Sequence, residues 1–410
     1  MTKDCLFPFT HLYIEPKGTV GPCCAMYRKD SNYIIQSAED LDNWDTHSDL
    51  KGIRDHFRTH RDMIESDCGQ CINHERAGVK SMRENMFDRF PPETTLLYYK
   101  TPMIRSMHIK FGNLCNLACR TCSEESSSLL EKEFEVEYFR DRKVFYAAPK
   151  KNKRYGDLEW YTRPGVFDKL LELTANIIKL QISGGEPLVN EYFWRLIDHV
   201  VTNGYAQNIN LGINTNGTVT LKPEQITMLR SFRSIQFDVS QDATEELSEY
   251  IRTRGNWNLW VRNMLQYKEM AKLGMTNGDP FNHKVGITIS VLNVHKLTSM
   301  VDFLESNGVL WHYQFVHWPA ELAVDNLNQQ AKDYLRELYR EDHRMQFVIK
   351  YLDDNKSRPL LETTKQYMDR RDAKALTIYK NFTTFEQLEP TWYKLITCLL
   401  YTSPSPRDRG

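Results

Sequence analysis

The sequence predicts an α/β chain built on an open, curved (β/α)6 partial TIM barrel, with a small cysteine-rich module before it and helices after it. Three observations predict this. From about Met103 onward, six short runs with strand character alternate with segments of helical periodicity. The helical segments are long enough for right-handed βαβ crossovers, which make a parallel sheet. Six strands are too few to close an eightfold barrel, so an open one follows, with its site at the strands' C-terminal ends.

Taken in order, residues 1–100 form the small module. "HLYIEPKGTV" is a hairpin signal, with Pro16 setting φ for a turn and Gly18 free to take positive φ, and its return strand runs into Cys23. Residues 103–325 form the barrel. "RSMHIKF" places Met107, Ile109 and Phe111 on one face, and "SSLLEKEFEVEYF" follows as a helix. Residues 142–154 are a basic insertion, read as a solvated loop or a substrate clamp. The strands "IIKLQIS", "INLGIN", "SIQFDVS", "KVGITISVL" and "LWHYQFVHW" then come in turn, with "VFDKLLELTAN" before the first of them. "YFWRLIDHVV", "PEQITMLRSF", "NWNLWVRNMLQYKEMAKLG" and "LTSMVDFLES" lie between them as helices. Residues 326–397 read as helices packing on the barrel side, although "KNFTTFEQLEPTWYKLI" is too irregular to assign. Residues 398–410, "CLLYTSPSPRDRG", resemble one translated frame of a transposase-type sequencing adapter, against the alternative of a Ser/Pro tail. On the adapter reading Cys398 has no role and the native C-terminus is missing.

Lys plus Arg number 53 against 54 Asp plus Glu, so no global field steers the chain onto nucleic acid or an anionic membrane. The N-terminus lacks a signal-peptide pattern and no apolar run reaches the ~20 residues of a spanning helix. A cytosolic protein is expected. Its nine cysteines fall at 5, 23, 24, 68, 71, 115, 119, 122 and 398. Structural disulfides are not expected in a reducing compartment, and clustering in the first third argues for metal ligation.

Cys115, Cys119 and Cys122 directly follow the first barrel strand. Closed zinc sites usually take four ligands, whereas three thiolates leave one position of an iron-sulfur cubane for a substrate or cofactor. "SGGEP" (183–187) ends the second strand, where glycines let a backbone edge approach a ligand and Glu186 offers an acceptor to an ammonium group. "NTNGT" (214–218) ends the third and is also a plain Asn-Gly turn. "SQDATEE" ends the fourth, where Ser240 and Asp242 could hold ribose hydroxyls or Ser240 could cap the next helix. Independent turns have no reason to collect polar and Gly-rich sequence on one rim each time.

"CNLACRTC" followed by "GGEP", "TNGT" and "VSQDATEE", each after a strand, resembles the radical S-adenosylmethionine (SAM) superfamily over Met103 to about Pro319. The resemblance implies a 4Fe-4S cluster on Cys115, Cys119 and Cys122 whose open iron is chelated by SAM, with reductive cleavage to a 5′-deoxyadenosyl radical that abstracts hydrogen. It implies Gly184, Gly185 and Glu186 at the SAM amino group, with Pro187 and Asn216 in the same cofactor-binding set. Ser240 and Asp242 fall on the ribose side. Arg252 could pair with the SAM carboxylate or form a surface salt bridge. A reductant such as flavodoxin or ferredoxin is implied as a partner. One departure is Thr121, where many members carry an aromatic residue near the adenine.

Cys5, Cys23, Cys68 and Cys71 supply four further thiols, with Cys24 as alternative to Cys23. Taken alone they suggest structural zinc. The C-x12-G-x4-C spacing through Gly18, with "CGQC", resembles the first part of SPASM and twitch extensions, which implies one auxiliary 4Fe-4S cluster. "HERAGVKSMRENM" resembles the stretch after this motif in uncharacterised twitch-domain proteins. The module precedes the barrel here, whereas it usually follows. The functional expectation is a radical SAM enzyme acting on a peptide, a protein or a small molecule, and relatives favour the first two. The alternative is a non-catalytic zinc protein with a structural or nucleic-acid role, disfavoured by the balanced charge. His108, His312 and His317 receive no role.

Overall fold

The computed structural model describes residues 4–26, 32–76, 78, 80–87, 92–134, 158–272, 281–355 and 361–397. The basic insertion at 142–154 and the segment 398–410 lie outside the described residues. Among the described residues eight strands make one sheet: β1 (His11–Ile14), β2 (Val20–Gly21), β3 (Ser106–Lys110), β4 (Lys179–Ser183), β5 (Asn210–Thr215), β6 (Ser234–Ser240), β7 (Phe281–Ile289) and β8 (Leu310–Phe315). Their order is β2-β1-β3-β4-β5-β6-β7-β8. All six strands expected of the partial barrel are present, in sequential order.

The sequence dictates the strands by alternation. In β4, Leu180 and Ile182 are buried while Lys179, Gln181 and Ser183 are partly exposed. Register carries the apolar stripe across the sheet, with Met107 opposite Leu180 and Leu180 opposite Leu211. The helix Glu191–Thr202 covers its share with Phe193, Leu196, Ile197 and Val200, at the spacing of one helical face. The Asn190 side chain caps it by accepting from Tyr192 N.

The hairpin is more closely tied to the barrel than its local cues suggest. β1 pairs antiparallel with β2 but parallel with β3, placing His11 opposite Ser106 and Ile14 opposite Ile109. The turn needs its glycine: Gly18 has φ +79°, and a Cβ there would lie 2.8 Å from Cγ of Trp160. The first hundred residues also contain the amphipathic helix Ser48–His60, which buries Leu50, Ile53 and Phe57.

By its internal contacts the chain divides into two compact units. The first comprises Met1–Asn116, Glu124–Asp238 and Leu265–His283; the second comprises Leu117–Ser123, Val239–Met264 and Lys284–Gly410. The second unit holds the helices Gln329–Leu338, Gln346–Asp354, Leu361–Ile378, Phe385–Leu388 and Pro390–Thr397. The last two fall in the stretch left unassigned above, where a capping box between Thr384 and Gln387 starts one and Pro390 opens the other. Among the described residues, no helix is long and apolar enough to cross a membrane.

Candidate functional site

In the first unit the end of β4 lies against the start of the three-cysteine loop. Gly184 and Gly185 take φ +81° and +56°, and a Cβ on Gly185 would stand 2.3 Å from the carbonyl oxygen of Leu114. Glu186 N donates to that same oxygen at 2.8 Å. Gly185→Ala therefore combines left-handed backbone with a clash against backbone and is expected to cost roughly 2–5 kcal/mol. Gly204→Ala, with φ +72° and open space around it, is expected to cost only ~1–2 kcal/mol. Urea denaturation of the metal-free proteins measures both, and equal losses would contradict the clash.

Glu186 is fully buried. Its carboxylate accepts from Leu188 N at 3.1 Å, Thr215 Oγ1 at 2.8 Å and Asn216 N at 2.6 Å, joining the end of β4 to the turn after β5. The side chain thus ties the glycine turn to the turn after β5 from within the protein. Pro187 is buried in the turn that follows.

Asn216 is also buried. Its Nδ2 donates to Cys115 Sγ at 3.9 Å and to Asn116 Oδ1 at 2.8 Å, and its Oδ1 accepts from Thr218 N at 3.0 Å and Thr218 Oγ1 at 2.6 Å. Asn116 Nδ2 closes the ring on Thr218 Oγ1 at 2.8 Å. Cys115 is held from its other side by Ser128, whose hydroxyl meets both its N and its O at 3.3 Å.

In the second unit the rest of the loop runs beside residues 251–253, with Ala118 N bonded to Thr253 O at 2.9 Å and Arg120 N to Ile251 O at 2.7 Å. Cys122 N turns back onto Cys119 O at 3.2 Å. Between these cysteines Arg120 points inward. It pairs with Asp372 at 3.1 Å and lies over the rings of Tyr250 and Phe382, at 4.9 and 5.0 Å. Tyr367 donates to its carbonyl at 3.1 Å.

Ser240 ends β6, half-buried, and Thr244 rather than Ser240 occupies the N-cap of the following helix. Asp242 is buried; its carboxylate accepts from Thr288 N at 2.9 Å and pairs with Arg252 at 3.0 Å. Burial works against the charge on Arg252, but Asp242, then Cys119 and Cys122, hold its pKa above the ordinary value. Arg252 is therefore a buried pair partner and no surface salt bridge.

Cys5, Cys23, Cys68 and Cys71, all in the first unit, line one small pocket together with Met26, Met63 and Met82. Cys24 is exposed and its thiol faces Met82 Sδ at 3.9 Å. Cys68 immediately precedes the helix Gly69–Arg76 and Cys71 lies in its first turn. Arg83 braces the wall, donating to Asp4 O at 2.7 Å beside Cys5 and to Glu75 at 2.7 Å on that helix. Burial, with Cys23 next, pushes the Cys5 thiol well up; burial pushes Cys68 to about 11.

Among the described residues no disulfide joins the cysteines, and no three His, Cys, Asp or Glu side chains gather as ligands of a single ion do. The sequence missed Asn116 and Thr218 as partners of the loop, although both stand inside quoted motifs. It also missed Arg120 and Arg83, which stand inside quoted stretches as well, and Asp372, for which no local signal exists.

Residues 109–283 match the family model of the Radical SAM superfamily. The mycofactocin maturase MftC of Mycolicibacterium smegmatis is 23% identical over 184 residues, covering 45% of this chain and 37% of that protein. The uncharacterised protein MJ0907 of Methanocaldococcus jannaschii is 28% identical over 235 residues, covering 57% of this chain and 66% of that one. The chain spans 37% to 42% of the length of the mycofactocin maturases it matches. Among solved structures, anSMEcpe with bound AdoMet gives a TM-score of 0.38 at 15% identity, over 63% of this chain and 65% of that one. Streptococcus suis SuiB bound to precursor peptide SuiA gives 0.35 at 14% identity, over 84% and 78%.

Proposed function

We propose that this chain, whose residues 109–283 match the family model of the Radical SAM superfamily, is an enzyme that holds a 4Fe-4S cluster on Cys115, Cys119 and Cys122, binds SAM beside it, and abstracts hydrogen from a peptide or protein. When bound, that pair supplies a one-electron cleavage and a carbon-centred radical. The chain's own residues bind and orient. Glu186 locks the glycine turn onto Leu114, Asn216 and Ser128 hold Cys115, and Arg120 seats Cys119 and Cys122.

The observation that carries this reading is the family match itself, which contains all three cysteines and the glycine turn. The four thiols around one pocket support an auxiliary cluster on Cys5, Cys23, Cys68 and Cys71. The likeness to mycofactocin maturases, with the SPASM-like cysteine spacing, supports a peptide or protein substrate. A cytosolic setting and a flavodoxin- or ferredoxin-type reductant belong to the same proposal.

Anaerobic purification followed by iron, sulfide and zinc analysis tests it. Iron and sulfide are expected, with 5′-deoxyadenosine formed from SAM and dithionite; zinc alone, or undiminished product from Cys119→Ala, would overturn the reading. Cys68→Ala/Cys71→Ala is expected to lose ~4 irons per chain while keeping the SAM-responsive cluster. Unchanged iron content would remove the auxiliary cluster. Mass spectrometry of incubations with candidate precursor peptides tests the substrate class, and modification confined to small molecules would exclude peptides.

A further inference from the structure

The amide of Asn216 has one orientation open to it. Thr218 N can only donate, and it lies 3.0 Å from Oδ1, so that atom is the carbonyl oxygen. The amide NH2 is thereby turned toward Cys115 Sγ and Asn116 Oδ1. Asn116, itself exposed, in turn holds Thr218 Oγ1, and the buried Glu186 holds Asn216 N at 2.6 Å, so both ends of the residue are fixed, the backbone end by a buried group and the amide end by the half-buried Thr218 and by Asn116. A donor locked in this way costs little entropy when it meets a thiolate.

The geometry points to Asn216 as a positioning residue that donates an N–H···S hydrogen bond to Cys115 and raises the reduction potential of the cluster held there. This is distinct from the SAM contact that the motif implies for Asn216, and it rests on the cluster assignment above. The physical reason is charge. Reduction adds an electron to a cluster whose sulfur ligands already carry negative charge, and a donor aimed at one of them stabilises the reduced form more than the oxidised one. The bond is present in both oxidation states, so only its strengthening on reduction counts, and this is expected to change the oxidised-to-reduced ratio by up to about tenfold at fixed potential. For a one-electron couple that is up to ~59 mV.

The test is a redox titration of the full-length, anaerobically reconstituted protein, followed by electron paramagnetic resonance. The signal that SAM perturbs identifies the cluster with the open iron. In Asn216→Ala this signal is expected to titrate at a more negative potential, by up to about the tenfold ratio above. Thr218→Val removes the hydroxyl holding Asn216 and Asn116, so a smaller shift in the same direction is expected. A residue with a merely structural role would lower stability and leave the midpoint where it is. A wild-type protein with no SAM-sensitive signal would overturn the cluster assignment itself. A wild-type signal present, with the Asn216→Ala midpoint unmoved, would overturn this inference alone. If Asn216→Ala takes up no iron, Thr218→Val decides: a shifted midpoint supports the hydrogen bond and an unmoved one refutes it.

Discussion

Glu186→Ala is expected to destabilise the metal-free protein by roughly 3–6 kcal/mol, a large part of the ~5–15 kcal/mol that holds a typical domain together. The substitution leaves Leu188 N, Thr215 Oγ1 and Asn216 N without their acceptor in a place water does not reach. Each such orphan costs ~1–3 kcal/mol, offset in part because one buried carboxylate no longer has to be desolvated. Glu186→Gln keeps the shape but turns an NH2 toward one of the donors, so an intermediate loss is expected. Urea denaturation without iron or SAM checks this. If Glu186→Ala unfolds like wild type and only SAM affinity falls, Glu186 is a ligand contact and no internal strut.

The second large effect is at Arg120. Arg120→Ala leaves Asp372 buried without its cation, and breaking a buried pair from one side costs ~3–5 kcal/mol. Tyr250 and Phe382 lose the guanidinium lying over them as well. Burial already raises the Asp372 carboxyl above its usual value, with Arg120 opposing that rise, so the variant's carboxyl moves further up. A carboxyl whose folded pKa lies above its unfolded one contributes most below the unfolded value, about 3.9, and loses that contribution as pH rises through the folded one. The Arg120→Ala deficit is therefore expected to be largest at neutral pH and to shrink on acidification as Asp372 takes a proton. Arg120→Ala/Asp372→Asn, with neither charge left, is expected to recover part of the loss at neutral pH. Denaturation curves across that pH range decide it, and a deficit independent of pH would exclude Asp372 as the partner that matters.

The six barrel strands were legible because alternation and helix length are local properties, as Leu180 and Ile182 show in β4. The pairing of β1 with β3 was not, because local cues specify only the hairpin and a parallel neighbour far along the chain leaves no mark on it. The cysteine motifs were legible as chemistry but not as geometry. Cys23 and Cys24 are adjacent in the turn after β2, and which of them lines the pocket is set by that turn's backbone and not by any spacing rule. Glu186 was read as a group for a ligand because its motif ends a strand. The turn after β5 adds what the motif does not show, two donors that tie the carboxylate to Thr215 and Asn216. Arg120 stood inside the motif all along, yet its partner Asp372 lies on the helix Leu361–Ile378, beyond any spacing rule.

The parallel seam between β1 and β3 also governs how this protein can be cut. Trimming the chain to begin near Met103, as a domain boundary there would invite, removes β1 and bares the edge from Ser106 to Lys110. Leu12 and Ile14, which are fully buried, would leave with it and uncover apolar neighbours on the same face. An unprotected, unpaired edge of this kind is a template for strand exchange. Such a fragment is expected to self-associate edge to edge, so attempts to study the barrel alone should retain the first 21 residues, supplied in trans if not in cis.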